Sequence, residues 1–178
     1  VRIIAGQWRG RPIEAPPGTA TRPTSDRARE GLFSMLQSRL GSFEGLLVAD
    51  LFAGTGALGL EALSRGAAYC TFVEKDRTAL DMLRGNIAAL DAAERADVRP
   101  QDAARFSGGP FHLVLLDPPY DSGLGQAALD TLAQSGSLAP GCLVSLETGR
   151  REAIASPGLA EVADRIYGKA RIRLLRAS

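Results

Sequence analysis

Short apolar runs, each closed by an acidic residue and followed by a stretch with helical spacing, constrain this chain more than any other feature. Residues 46–52 hold Asp50 near their end. Residues 69–74 end on Glu74, 96–100 are followed by Asp102, and 111–117 end on Asp117. Runs of this length, rich in Leu, Val and Phe, read as buried strands. Residues 57–65, 77–90 and 124–134 carry apolar positions at helical spacing. Further strands are expected at 142–147 and 170–175, the last with Arg171 and Arg173 facing outward, and 159–166 reads as mixed. Strand and helix alternating in this way close into a mostly parallel sheet with helices on both faces. Ligands of such sheets bind outside the carboxyl ends of the strands. All four acids fall at those ends.

Residues 1–40 are of a different kind. Residues 2–6 and 11–15 read as short strands of a hairpin about residues 7–10. A proline-rich loop follows, then a helix from Thr24 or Ser25, with Ser25 as its N-cap and Asp26 at the positive end of its dipole. Leu32, Phe33, Leu36 and Leu40 form its apolar stripe, and Gly41 is a natural stop. The expected division is an N-terminal extension, 1–40, and an α/β core, 41–178. Seven arginines stand against three acids in 1–40, whereas 41–149 hold seven basic and fourteen acidic residues. A basic front beside an acidic middle suits a polyanion held by the first and a cation bound by the second.

Composition narrows the chemistry. A chain of 178 residues fits one domain. No apolar run approaches membrane-spanning length, and the start lacks the long apolar stretch of a secretory leader. Cys70 and Cys142 are far apart and each within an expected strand, which fits buried thiols in a reducing cytoplasm. With His112 the sole histidine, a histidine metal cluster or a Ser-His-Asp triad is not expected. The chain is read as a cytoplasmic monomer with no metal and no membrane partner.

The segment Asp50-Leu51-Phe52-Ala53-Gly54-Thr55-Gly56-Ala57-Leu58-Gly59 links the first core strand to its helix and contains G-x-G-x-x-G. Gly54 and Gly56 let the backbone turn tightly, and Gly59 lets the helix approach the sheet. That pattern alone signals only a nucleotide-type ligand. Asp50 discriminates: a carboxylate there repels the pyrophosphate of a dinucleotide and attracts the ammonium and sulfonium of S-adenosylmethionine (SAM). The alternative reading is a simple cap on the following turn. Glu74 lies at about the spacing at which an acid reaches ribose hydroxyls, which suits SAM and NAD alike. Asp102 is placed to accept from an adenine amino group, or to serve an ordinary loop.

Asp117-Pro118-Pro119-Tyr120 carries the remaining chemistry. The acid accepts hydrogen bonds from an amino group. The prolines fix the backbone and lack N–H groups, so a nearby carbonyl can face a site. The tyrosine offers a ring on which a base can stack. This set suits chemistry on the exocyclic amine of a nucleobase. Arg9, Arg11, Arg22, Arg27 and Arg29 are candidate phosphate contacts, with Arg27 and Arg29 also in reach of Asp26 or Glu30 on their own helix. Trp8 is equally suited to RNA stacking and to the core.

The glycine segment through Gly66, followed by V-E-K-D at 73–76 and D-P-P-Y at 117–120, resembles the class I SAM-dependent methyltransferases. R-I-I-A-G at 2–6, R-G-R at 9–11 and R-P-T-S-D-R-A-R-E at 22–30 narrow this to a resemblance to the bacterial RsmD family, the 16S ribosomal RNA (guanine-N2)-methyltransferases. It implies a Rossmann-like seven-stranded sheet with the last strand antiparallel. It also implies SAM as cofactor, held by Asp50, Phe52, Gly54, Gly56, Glu74, Lys75, Asp102 and Ala103. Catalysis would rest on Asp117, Pro118, Pro119 and Tyr120, with 16S rRNA in the small ribosomal subunit as partner. Guanine rather than adenine, and the 16S target, rest on this resemblance. Residues 149–159 match least and carry no assignment. The rivals are a DNA adenine-N6 methyltransferase, a glutamine-amide protein methyltransferase, an NAD-dependent dehydrogenase and a non-catalytic RNA-binding module.

Overall fold

The expected alternation closes into one sheet in the computed structural model, which describes residues 1–16 and 23–178. The chain runs α1 (Pro23–Leu40), β1 (Leu47–Leu51), α2 (Ala57–Ser64), β2 (Tyr69–Glu74), α3 (Arg77–Ala89), β3 (Ala96–Pro100), β4 (Phe111–Leu116), α4 (Leu124–Gln134), β5 (Leu138–Gly149), β6 (Leu159–Tyr167) and β7 (Ala170–Ala177). The seven strands lie in the order β3-β2-β1-β4-β5-β7-β6. Strands β1 to β5 pair in parallel, and β7 runs antiparallel to both β5 and β6.

Side-chain alternation along the strands gives the sheet two apolar faces. Val48, Phe72, Leu113, Leu115 and Leu143 pack on one face with Leu60 and Leu63 of α2 and Leu83 of α3. Leu51, Val73, Val114, Leu116, Val144 and Leu146 pack on the other, under Leu129 and Leu132 of α4. Gly59 makes the first of these packings possible, because a Cβ there would run into the Phe72 ring and Cys70 Sγ. Cys70 and Cys142 are free and buried. Burial pushes the Cys142 thiol up to about 12 and that of Cys70 well above its ordinary value, so neither is a reactive thiolate at neutral pH.

The N-terminal segment is tied to α2 by one buried acid. Glu61 Oε1 accepts from the Ile4 amide at 2.8 Å and Oε2 from the Ala5 amide at 3.1 Å, while Arg65 Nε donates to Oε2 at 2.9 Å. Ser64 adds a bond from the Trp8 amide, at 3.0 Å, and one to the Ala5 carbonyl, at 2.6 Å. These claims on the backbone explain a departure from expectation. The two strands of the hairpin reduce to one antiparallel bridge, Arg2 with Pro12. Amides given to Glu61 are lost to a ladder, and Pro12 donates none.

Other boundaries moved for local reasons. Helix α1 begins at Pro23, so Ser25 lies within its first turn and does not precede it. Proline at the first helical position is pre-set in φ and loses no bond there. Strand β5 starts four residues early, with an irregularity in its pairing between Phe111 and Leu113 of β4. The segment read as mixed is strand throughout, β6. Arg173 does not face outward: it is 6 % exposed, because β7 is an interior strand of the sheet. Its guanidinium bonds Thr148 Oγ1 at 3.0 Å and the Glu152 carbonyl at 2.6 Å. Arg171 binds Asp164 through two nitrogens and the Arg150 carbonyl through a third. Together they fasten the segment after Gly149 to the sheet.

Candidate active site

The pairing register places the key residues in one row. Leu51 is opposite Val73 on one side and Leu116 on the other, and Leu116 is opposite Leu146. One step further toward the carboxyl ends lie Glu74, Phe52, Asp117 and Glu147, in that order across four strands. Phe52 has φ of 61°, a conformation that costs a bulky residue on the order of 1–3 kcal/mol. It is held there by the two residues that follow it, both bonded to β2. The Ala53 amide donates to the Val73 carbonyl at 3.0 Å, and the Gly54 amide to Glu74 Oε1 at 2.8 Å.

Glu74 is a backbone organiser. Its Oε2 accepts from the amides of Lys75, at 3.0 Å, and Asp76, at 2.8 Å. Asp76 in turn caps α3 by accepting from the Ala79 amide at 2.9 Å. Asp102 Oδ1 accepts from the Ala104 amide at 3.0 Å and so caps the short 3-10 turn that follows β3.

A cleft of about 420 Å³ opens over this row, within the size range of small-molecule sites. Phe52, Glu74, Lys75, Asp102 and Ala103 line one part of it, and Asp117, Pro118 and Pro119 another. Asp76 and Leu124 join them, neither of them an expected site residue. A smaller cavity of about 210 Å³ lies at the opposite, amino ends of the strands, beside Leu47, Tyr69 and Phe111. It contains none of the acids.

Asp50 is near the cleft but sealed from water, at 1 % exposure. Its Oδ2 accepts from the Gly59 amide in the first turn of α2, at 2.9 Å. Burial, and secondarily the charge of Glu74, pushes its carboxyl up to about 8 against the pull of that hydrogen bond. The arrangement decides between cofactor types. A dinucleotide sets its pyrophosphate on the amides at this helix terminus, and here a carboxyl already occupies one of them. The cleft beyond offers carboxylates to hydroxyl and amino groups and apolar surface from Phe52 and Ala103. The residues present therefore fit SAM.

Asp117 stands in the cleft wall, closely ringed by protein yet reachable by water. The surrounding protein, then Glu147, then Asp50 push its carboxyl well above the usual range. Tyr120 is 41 % exposed, and its hydroxyl donates to Glu147 Oε2 at 2.7 Å. Ser122 Oγ donates to the Pro119 carbonyl at 2.7 Å.

Glu147 was not among the expected site residues. The signal was present in the sequence, since the expected strand 142–147 also ends on an acid. Trp8 is 6 % exposed and packs into the core beneath the Arg95 guanidinium, 5.4 Å from the ring centre. Arg29 is buried as well, against Glu61 at 3.5 Å and Asp26 at 3.8 Å, and is withdrawn from any phosphate. Arg9, Arg11 and Arg27 are exposed, with Arg11 Nη2 donating to the Ala89 carbonyl at 2.8 Å. Arg22 lies outside the described residues.

A seven-stranded sheet of this order with an acidic row at its carboxyl ends defines a class I methyltransferase. The family model described as "Conserved hypothetical protein 95" matches residues 1–176. The ribosomal RNA small subunit methyltransferase D of Escherichia coli K12 is 42 % identical over 151 residues, spanning 83 % of this chain and 74 % of that protein. Its namesake in Haemophilus influenzae is 39 % identical over 163 residues, 88 % of this chain and 83 % of the other. The solved structure of yhhF from Escherichia coli superposes with a TM-score of 0.87 at 35 % identity, covering 100 % of this chain and 98 % of that one. The chain belongs to the ribosomal RNA small subunit methyltransferase D family, and its cofactor is SAM.

Proposed function

We propose that the protein methylates the exocyclic N2 amine of one guanine in 16S ribosomal RNA, within an assembled or assembling small subunit in the cytoplasm. The observation that carries this reading is that Asp117, Pro118 and Pro119 line the same cleft as Glu74 and Asp102, with Tyr120 the next residue along the chain. SAM, when bound, supplies a methyl group on a cationic sulfur that leaves as a neutral thioether. Glu74 accepts from the ribose hydroxyls and Asp102 from the adenine amine. Phe52, Lys75 and Ala103 complete the cofactor wall, with Gly54 and Gly56 beneath.

A guanine amine is a weak nucleophile because its lone pair is delocalised into the ring. Asp117 accepts one of its N–H bonds. The Pro118 carbonyl accepts the other, while that of Pro119 is engaged by Ser122. Held in this way, the nitrogen pyramidalises and directs its lone pair at the methyl carbon. Such positioning is worth up to roughly 7–11 kcal/mol in the best-oriented systems. The nitrogen's surplus proton then passes to Asp117. The Tyr120 ring stacks on the base, which must leave its helix to enter, an interaction worth about 1–3 kcal/mol.

Arg9, Arg11, Arg22 and Arg27 hold RNA phosphates. The extension that carries the first two is rigid, because Glu61 and Ser64 fix it to α2. Mass spectrometry of ribosomal RNA nucleosides, from cells with and without the gene, tests the reading. One N2-methylguanosine per small-subunit RNA should disappear with the gene. Loss of N6-methyladenosine in its place would move the substrate to adenine.

A further inference from the structure

The mechanism above gives Glu147 no part, yet this acid stands beside the reacting corner. It lies one register step beyond Leu146, next to Asp117, and it holds the Tyr120 hydroxyl at 2.7 Å. Its backbone is fixed. Glu147 is paired with Ile172 of β7, and the next residue, Thr148, is bonded by Arg173. A carboxyl on so rigid a strand presents an acceptor at a set position.

The hydrogen-bonding edge of guanine supplies what such an acceptor needs. Beside the 2-amino group, guanine carries N1–H, a second donor. Adenine carries next to its amine a bare N1, which is an acceptor. Asp117 and Glu147 are neighbours across β4 and β5, and, beyond burial, the Glu147 carboxylate disfavours the ionised form of Asp117. Two donors side by side on an incoming base relieve that repulsion. A base presenting a lone pair beside its amine cannot.

We propose that Glu147 is the specificity-determining acceptor for N1–H of the target guanine, adjacent to Asp117 at N2. This rests on the guanine-N2 reading given above. The competing role is purely local: Glu147 holds Tyr120 and never meets the base.

The test uses 2-aminopurine, which keeps the 2-amino group and has a bare N1. The modified nucleotide is first located by mass spectrometry. Small subunits are then reconstituted with splint-ligated RNA carrying guanine or 2-aminopurine at that position. Single-turnover rates with labelled SAM give the guanine to 2-aminopurine ratio even for slow variants, and calorimetry with SAM confirms that each variant is folded. Wild type should favour guanine by roughly tenfold or more. Glu147→Gln, whose amide can donate to N1, should narrow or invert the ratio. Tyr120→Phe should slow both reactions and keep the ratio.

An equal ratio in wild type and Glu147→Gln overturns the proposal, as does no preference in wild type. The same shift in Tyr120→Phe as in Glu147→Gln also overturns it, because the effect would then run through the tyrosine. Failure of the underlying reading looks different: wild type would form no N2-methylguanosine on the all-guanine subunit.

Discussion

Glu74 Oε1 accepts the amide of Gly54 at 2.8 Å, so the acid expected to meet the ribose also holds the glycine loop beneath it. Glu74→Ala removes an acceptor from three backbone amides as well as from the ligand. Hydrogen bonds to a charged group are worth about 1.5–3 kcal/mol each. SAM affinity should fall by roughly ten- to hundred-fold, and the melting temperature should fall with it. Calorimetry and thermal unfolding read the two effects. Unchanged affinity would remove Glu74 from the cofactor site.

Asp50 gives a stability that depends on pH in an unusual direction. Its carboxyl sits at about 8 in the folded chain against 3.8 ordinarily. Between those values the folded state holds a proton that the unfolded state has released, so stability declines as pH rises from about 4 to 8. Asp50→Asn keeps an oxygen for the Gly59 amide and carries no charge to bury. The variant should match wild type near pH 4 and exceed it by up to a few kcal/mol near pH 8. Urea unfolding across that range decides. Parallel pH curves for the two proteins would show that Asp50 is not the group responsible.

Periodicity and turn residues showed the parallel half of the sheet, because each strand there is an apolar run between loops. The acids at the strand ends stood out by position alone, and the structure sets Glu74, Asp102 and Asp117 in the wall of one cleft while Asp50 is sealed beneath it. Arg173 was not legible. Alternation along β7 put it on a face, but only the strand order shows that both faces are covered. Trp8 and Arg29 were ambiguous for a similar reason: a basic or aromatic residue on a short segment gives no sign of what it docks against. Here Arg29 docks against Glu61 and Trp8 against Arg95, both distant in sequence. Glu147 was legible in retrospect by the rule that found the other acids.

Asp117 is expected to be indispensable to turnover and marginal to cofactor binding. Asp117→Ala should abolish methyl transfer while leaving SAM affinity within a few-fold. Its raised carboxyl adds a signature. Only the ionised form offers both oxygens as acceptors, and crowding by protein together with Glu147 and Asp50 disfavours that form. The transfer rate should therefore climb with pH along a limb lying above the ordinary carboxylate range. A rate flat from pH 5 to 9 would show that ionisation of Asp117 plays no part.

The arginines of the extension are testable apart from the chemistry. Arg9 and Arg11 are exposed on a segment fixed to α2 by Glu61 and Ser64, so replacing both by Ala removes charge and, of the bonds that hold the extension, only that from Arg11 to the Ala89 carbonyl. Each arginine–phosphate pairing removed flattens the dependence of log affinity on log salt by about 0.7 for single strands and 0.9 for duplex. Removing two such pairings should flatten the slope by roughly 1.4–1.8 and weaken binding most at low salt. Binding to small subunits over a series of potassium chloride concentrations measures it, with SAM affinity as the control for folding. A slope identical to wild type would place the RNA-binding surface on other residues. Arg27, exposed on α1, is then the next to replace.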